Sequence, residues 1–332
     1  MGDHRTPDPQ TRVLIEQSVG EMFAVAEQGH FHRLTTMLAE LGWSEVAEEY
    51  PLAAQDILAT QHAVSLTTSD LLDITLIDRL GPALPSPPSA GHCLVLLPSA
   101  PGSGPSPGPG PAGGLLQGPP QPDDTIVVPF LAGADIRVTT VPATEVDVVP
   151  LHTFDPSVSW LQATAPVVDE GHPAVTEWAD ALAAGRRLIA TEILALAARA
   201  IELTVTHVST RRQYGHSIAA FQVVRHQLAD AHAEIDGARA LLAEAASDGG
   251  YASARAAKIA AGRGQRLARA AALQLNGAIG LTEESVLHRY VARAMQLDVL
   301  LGSARVLERE LADELFAPDA AGLPLPPLVL AN

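Results

Sequence analysis

The chain has 332 residues, 47% of them hydrophobic, and a formal net charge of -17. That length calls for two or three packed units with ample core, but no apolar run nears the roughly 20 residues a bilayer crossing needs and no apolar leader opens the chain, so a cytoplasmic protein without membrane contact is expected. The acidic balance argues against nucleic acid as a partner, and a lone cysteine, Cys93, excludes an internal disulfide or a thiolate metal cage.

In chain order, residues 10 to 80 carry helical periodicity (Val13, Leu14, Val19, Met22, Phe23, then Leu34, Met37, Leu38, Leu41) and stop at Pro82, Pro85, Pro87 and Pro88. This predicts a helical domain over 1–88. Short β-rich runs follow at 92–97, 125–129, 136–141 and 144–149, predicting a β domain over 89–165, in which the Pro/Gly-rich stretch 99–122 is expected to be a mobile loop. From 166 to 332 helical patterning returns in four segments, near 174–209, 216–247, 251–276 and 285–315. The first would be roughly 50 Å long at about 1.5 Å per residue, the scale of an antiparallel four-helix bundle. Of the 21 Lys and Arg residues, 16 lie from Arg186 onward, so a phosphate-bearing ligand is expected on this bundle. The predicted class is α+β.

Gly108, Gly110 and Gly113 match a dinucleotide fingerprint, but Pro107, Pro109 and Pro111 interleave them and no helix is expected to follow, so a linker is the better reading. The single E-x-x-H of Glu27 and His30 lacks the second copy that a di-iron bundle site requires, and no metal is expected.

The run Arg211-Arg212-Gln213-Tyr214-Gly215-His216-Ser217-Ile218, with Phe221-Gln222, carries more chemistry. It sits at a helix break, where arginines and free N–H groups can hold a pyrophosphate and two aromatic rings can wall it. A second run, Gln274-Leu275-Asn276-Gly277-Ala278-Ile279-Gly280-Leu281-Thr282, offers a glycine-bearing turn that lets backbone approach a ligand closely.

In order and separation the two runs resemble the acyl-CoA dehydrogenase family, whose last domain carries R-x-Q-F-G-x-x-I-x-x-F-Q and later Q-x-x-G-G-x-G. The resemblance extends from about Leu34 to Leu315, strongest in the bundle. It implies the family's domain order, here with a shortened N-terminal helical domain and a small middle β domain, and FAD as cofactor. It also implies that the ADP part of FAD reaches across a subunit interface onto Arg211, Gln213, Tyr214, Phe221, Gln222, Gln274, Gly277 and Ala278. Tyr214 stands where the family usually has Phe, and Ala278 where it has a second Gly.

The family's proton-abstracting carboxylate sits at one of two positions, which here are Leu301 and Gly185, and neither can accept a proton. The β domain also lacks a T-x-P-x-x-G-S-D-like stretch for the flavin ring and acyl chain. With the run from Gly277 to Glu284 and Leu287-His288-Arg289-Tyr290, this pattern resembles actinobacterial dehydrogenases of steroid (cholesterol) side-chain degradation, α2β2 heterotetramers of two unlike family members. By that resemblance the chain is the non-catalytic subunit. A second acyl-CoA dehydrogenase-like subunit then holds most of the acyl-CoA and passes electrons to an electron-transfer acceptor. Two alternatives stay open: a self-sufficient flavoenzyme with Glu284 as relocated base, although Glu283 and Glu284 are expected to cap the next helix, and an FAD-free scaffold of the same fold.

Overall fold

Asp8 opens the first helix by accepting the N–H groups of Gln10 and Thr11, and Pro9, which has no N–H to lose, takes its first turn. The computed structural model describes residues 5–26, 30–84, 92–99, 105–108, 110–167 and 170–316. Five helices build the N-terminal unit: α1 (Pro9–Ala24), α2 (Leu34–Glu40), α3 (Trp43–Glu49), α4 (Pro51–Ser65) and α5 (Leu71–Leu80). A two-residue parallel bridge, β1 (Phe31–His32) on β2 (Thr68–Ser69), ties their connections. Val19, Phe23, Leu34, Ile57, Leu58 and Leu71 form a local core, while Leu72, Leu76 and Leu80 of α5 join the core of the C-terminal unit.

The middle unit is a two-layer β structure of β3 (Cys93–Val95), β4 (Leu97–Pro98), β5 (Ser106–Pro107), β6 (Gly110–Gln117), β7 (Thr125–Ala132), β8 (Asp135–Pro142), β9 (Asp147–Leu151), β10 (Trp160–Val167) and β11 (His172–Pro173). One sheet runs β4-β6-β10-β9. The other runs β11-β8-β7-β3, with β5 also on β7. Alternate residues turn inward, and Leu94, Leu96, Leu116, Ile126, Val128, Phe130 and Val167 fill the space between the sheets. The expected strand over 92–97 divides, because the chain changes sheets at Leu96: β3 pairs with β7 and β4 with β6.

The expected loop over 99–122 is corrected. Residues 110–117 are β6, paired along all eight residues with β10; residues 100–104 and 109 lie outside the described set. Sheet pairing overrides the low strand propensity of Gly and Pro here. Gly114 shows why the composition is needed, since a Cβ there would stand 2.6 Å from the Leu97 carbonyl oxygen of β4. The fingerprint glycines therefore lead into a strand and not a helix. A linker there is likewise corrected.

The C-terminal unit consists of α6 (Val175–Thr210), a small hairpin of β12 (Arg212–Gln213) and β13 (His216–Ser217), then α7 (Gln222–Asp248), α8 (Tyr251–Asn276), α9 (Leu287–Val299) and α10 (Ala304–Leu315). The expected second helix begins six residues late, because the hairpin takes His216 and Ser217 and a 3-10 turn takes Ile218–Ala220. The expected fourth helix is broken at Leu300–Ser303. Leu301 and Gly302 have φ of +53° and +97°, which no α-helix can contain, and the Ser303 hydroxyl restarts the helix by accepting the Val306 N–H. Alanines and glycines of α6 and α8 let these helices pack closely. Ala190, Ala197, Ala257, Ala261 and Ala268 are all buried.

Charged clamps join the units. Arg33 donates both Nη groups to Asp124 (2.7 and 2.5 Å), and Arg293 of α9 donates to Asp155 at 2.5 Å and to the carbonyls of Leu66 and Thr67.

Candidate functional site

At the C-terminal end of α6 the Arg211 N–H closes the last turn onto the His207 carbonyl, and the Arg211 carbonyl accepts from Ile218 N–H, each at 2.9 Å. Tyr214 (φ +52°) and Gly215 (φ +81°) make the two-residue left-handed turn that a tight hairpin favours. Residues 211–216 are all exposed, and among the described residues the Arg211 side chain has no hydrogen-bond or ion-pair partner. Tyr214, 88% exposed, meets Phe221 edge to face with ring centroids 6.3 Å apart. Gln222, the first residue of α7, lies 3.4 Å from His226.

The second run lies at the same end. Asn276 at the end of α8 donates to Thr204 Oγ1 near the end of α6 at 2.9 Å, and Gln274, Gly277 and Ala278 are exposed. Gly277 has φ +61° and ψ -146°, backbone open only to glycine, and no atom stands within 4 Å of where a Cβ would be. All eight residues expected at a nucleotide site thus gather at one end of the bundle, beside exposed Val223, Ile279 and Leu281. Exposed cationic and amide donors, two aromatic rings and an open glycine backbone are chemically suited to the ADP half of a dinucleotide such as FAD.

The two expected base positions also meet, at the other end of α9. A Cβ on Gly185 would stand 2.6 Å from Leu301 Cδ1, 2.9 Å from Leu76 Cδ2 and 3.5 Å from Leu72 Cδ1. Leucines from two elements, α5 and the turn after α9, therefore fill the space beside Gly185. The strained turn is held from beneath: Arg186 Nε donates to the Leu301 carbonyl (3.0 Å), and Lys258 Nζ donates to the carbonyls of Asp298 (2.9 Å) and Gly302 (3.4 Å). Burial of Lys258 pushes its ammonium down to about 8 despite nearby Asp298. Glu284 is exposed just before α9, whose 13 residues separate it from Leu301 by about 20 Å. The capping expected of Glu283 and Glu284 is corrected: Val286 is the N-cap of α9 and has no side-chain cap, and the nearest hydroxyl, that of Ser285, accepts the Leu287 N–H at 3.3 Å.

Sequence reasoning missed a buried polar network between the units. His62 of α4 contacts Glu192 of α6 through Nδ1, and Ser69 through Nε2 at 2.9 Å. This is the order of nucleophile, base and orienting carboxylate, but all three residues are buried beside a cavity of about 20 Å³ and Ser69 Oγ also receives the Leu71 N–H, so no substrate reaches them. His62 and Ser69 are seven residues apart, yet Glu192 is 130 residues from His62, and no local pattern announces it. Asp73 is a second omission. Its Oδ1 accepts the Val95 N–H at 2.8 Å, and burial pushes its carboxyl up to about 8.

Residues 175–316 match the model of the acyl-CoA dehydrogenase C-terminal domain. The bundle belongs to the acyl-CoA dehydrogenase family. Over 129 residues the chain is 30% identical to the acyl-CoA dehydrogenase IpdE2 of Mycobacterium tuberculosis, a match that spans 39% of this chain and 41% of that protein. The chain thus spans about two fifths of the length of the curated relatives it matches. In fold the likeness extends through all three units. The ChsE4-ChsE5 complex from Mycobacterium tuberculosis has a chain that superposes with a TM-score of 0.74 at 20% identity, covering 95% of this chain and 99% of that one. A variant of the Tcur3481-Tcur3483 steroid ACAD gives 0.70 at 20% identity, covering 92% and 97%. The described residues therefore have the acyl-CoA dehydrogenase fold, and the family is one of oxidoreductases. Among the described residues no helix is long and apolar enough to cross a membrane, and no group of three or more His, Cys, Asp or Glu side chains is placed to hold a metal ion.

Proposed function

We propose that this chain is the non-catalytic subunit of a heteromeric FAD-dependent acyl-CoA dehydrogenase, acting on a steroid side-chain acyl-CoA, that completes the FAD site of a partner subunit. The observation that carries this reading is the leucine filling of both base positions, Gly185 and Leu301, while the cofactor end of the bundle keeps its exposed arginine, amides and aromatic rings. Removing the α-proton of a thioester needs a carboxylate, and leucine cannot substitute for it. When bound, FAD would supply the two-electron acceptor. This chain's part would be to bind: Arg211 and Gln213 on the pyrophosphate, Tyr214 and Phe221 as walls, Gln222 beside them, and Gln274, Gly277 and Ala278 toward the adenosine.

Two further points support a two-chain site. The cavity at the junction of the three units is about 20 Å³, whereas ligand pockets run to about 300–1,000 Å³. The heteromeric steroid ACAD and the ChsE4-ChsE5 complex, which share this fold, also favour an unlike partner. Glu284, about a helix length from Leu301, is poorly placed to act as the base.

The experiment is co-expression with candidate acyl-CoA dehydrogenase-like chains. The pair should elute as one α2β2 species carrying flavin absorbance and should reduce an electron-transfer acceptor with a steroid acyl-CoA, while the chain alone should be colourless and inactive. Turnover by the isolated chain that is abolished by Glu284→Gln would overturn the proposal in favour of a relocated base. Paired complexes without flavin would favour the scaffold.

A further inference from the structure

We propose that the small cavity where the three units meet binds one ordered water molecule, which accepts a hydrogen bond from Trp160 Nε1 and donates one to Gln296 Oε1. Both residues line the cavity, and both atoms are buried without a protein partner. Trp160 is 3% exposed and Gln296 9%, so neither atom can reach bulk solvent. A buried donor or acceptor left unpaired is costly, and water is the usual remedy where a polar cavity has room. The volume of about 20 Å³ exceeds the roughly 10–15 Å³ that one water needs and is too small for a larger ligand.

The orientation of Gln296 is decided by its other contact. The Thr153 hydroxyl donates its proton to the Asp155 carbonyl (3.0 Å), so toward Gln296 it can only accept, and it takes the Nε2–H at 3.0 Å. Gln296 therefore presents its carbonyl oxygen as the unpaired atom. Trp160 Nε1 and Gln296 Oε1 thus leave one neutral donor and one neutral acceptor unpaired on the wall. Water satisfies both, whereas a metal cation cannot accept from the indole N–H and a simple anion cannot donate to the amide oxygen. Of the other polar side chains on the wall, which include Gln117, His62 is held by Glu192 and Ser69, and Arg293 by Asp155, Ser157 and two carbonyls. Trp160 lies on β10 and Gln296 on α9, so the water bridges the β unit to the bundle.

Indole NMR tests this on the full chain, or on its complex if the chain purifies only with a partner. The sequence holds three tryptophans, Trp43, Trp160 and Trp178, and Trp160→Phe assigns the indole signal of Trp160. In wild type that indole proton should show a cross-peak to a long-lived water, and Gln296→Met should reduce it several-fold while the other two indole signals stay in place. A wild-type Trp160 indole with no water cross-peak would overturn the proposal, as would a cross-peak of equal intensity in Gln296→Met. If Gln296→Met does not fold, the wild-type cross-peak alone decides.

Discussion

Gly185 on α6 and Leu301 in the turn after α9 occupy one another's space: a methyl group added to Gly185 would lie 2.6 Å from Leu301 Cδ1. The residues are 116 positions apart in sequence, and each stands where the family resemblance places a catalytic carboxylate. In this chain they form an apolar contact closed over by Leu72 and Leu76.

That contact makes a stability prediction. Gly185→Ala should cost about 1–3 kcal/mol by overpacking, less up to about 1 kcal/mol gained in helix propensity, and Leu301→Ala about 2–5 kcal/mol by leaving a cavity. In the double variant the new methyl group enters the vacated space, so the combined loss should fall short of the sum by about 1 kcal/mol or more. Urea denaturation of the four proteins measures this. Additivity within about 0.5 kcal/mol would mean the residues do not touch.

At the other end of the bundle, Arg211→Ala should weaken flavin retention by the paired complex about 10- to 150-fold, since a charged hydrogen bond to phosphate contributes about 1.5–3 kcal/mol. Arg212→Ala should do less, because Arg212 already leans 3.5 Å from the Gly215 carbonyl within its own hairpin. Flavin per protomer after gel filtration reads both. Equal flavin in wild type and both variants would remove the bundle from the cofactor site.

Asp73 predicts a pH dependence. Burial raises its folded carboxyl from 3.8 to about 8, so between those values the folded state holds a proton that the unfolded state has lost. Its contribution to stability must therefore fall as pH rises from about 4 to 8, by at most about 1.4 kcal/mol per pH unit. Asp73→Asn keeps an acceptor for the Val95 N–H and carries no titrating group. Its stability relative to wild type should rise steadily across that window in denaturant titrations, and parallel curves would show that Asp73 does not hold the proton.

Lys258 acts with the opposite sign at higher pH. Burial lowers its folded value from 10.5 to about 8, so over that range the unfolded chain binds the extra proton and the contribution to stability rises with pH. Lys258→Met should lose this rise between about pH 8 and 10.5. It should also loosen the Leu300–Ser303 turn, whose Gly302 carbonyl Lys258 holds, seen as faster amide exchange at Leu301 and Gly302.

Local signals determined a good deal. Periodicity placed the long helices α6, α7 and α8, because a 3.6-residue apolar repeat over some 30 residues is unmistakable and glycines with positive φ, Gly249 and Gly277, mark the ends of α7 and α8. The two motif runs, with their arginine, amides and glycines, were legible for the same local reason, since each is carried by residues close together in the chain, and the fold gathers both at one end of the bundle. Strand β6 could not be read this way. Its Gly114 and Pro111 have poor strand propensity, and only pairing with β10 and the close approach of Leu97 make glycine the residue that fits. The break at Leu301, the joining of His62 to Glu192, the burial of Asp73 and Lys258, and the meeting of Gly185 with Leu301 were likewise decided in three dimensions. Each depends on desolvation or contact between residues far apart in sequence, and such energies do not exist until the units pack.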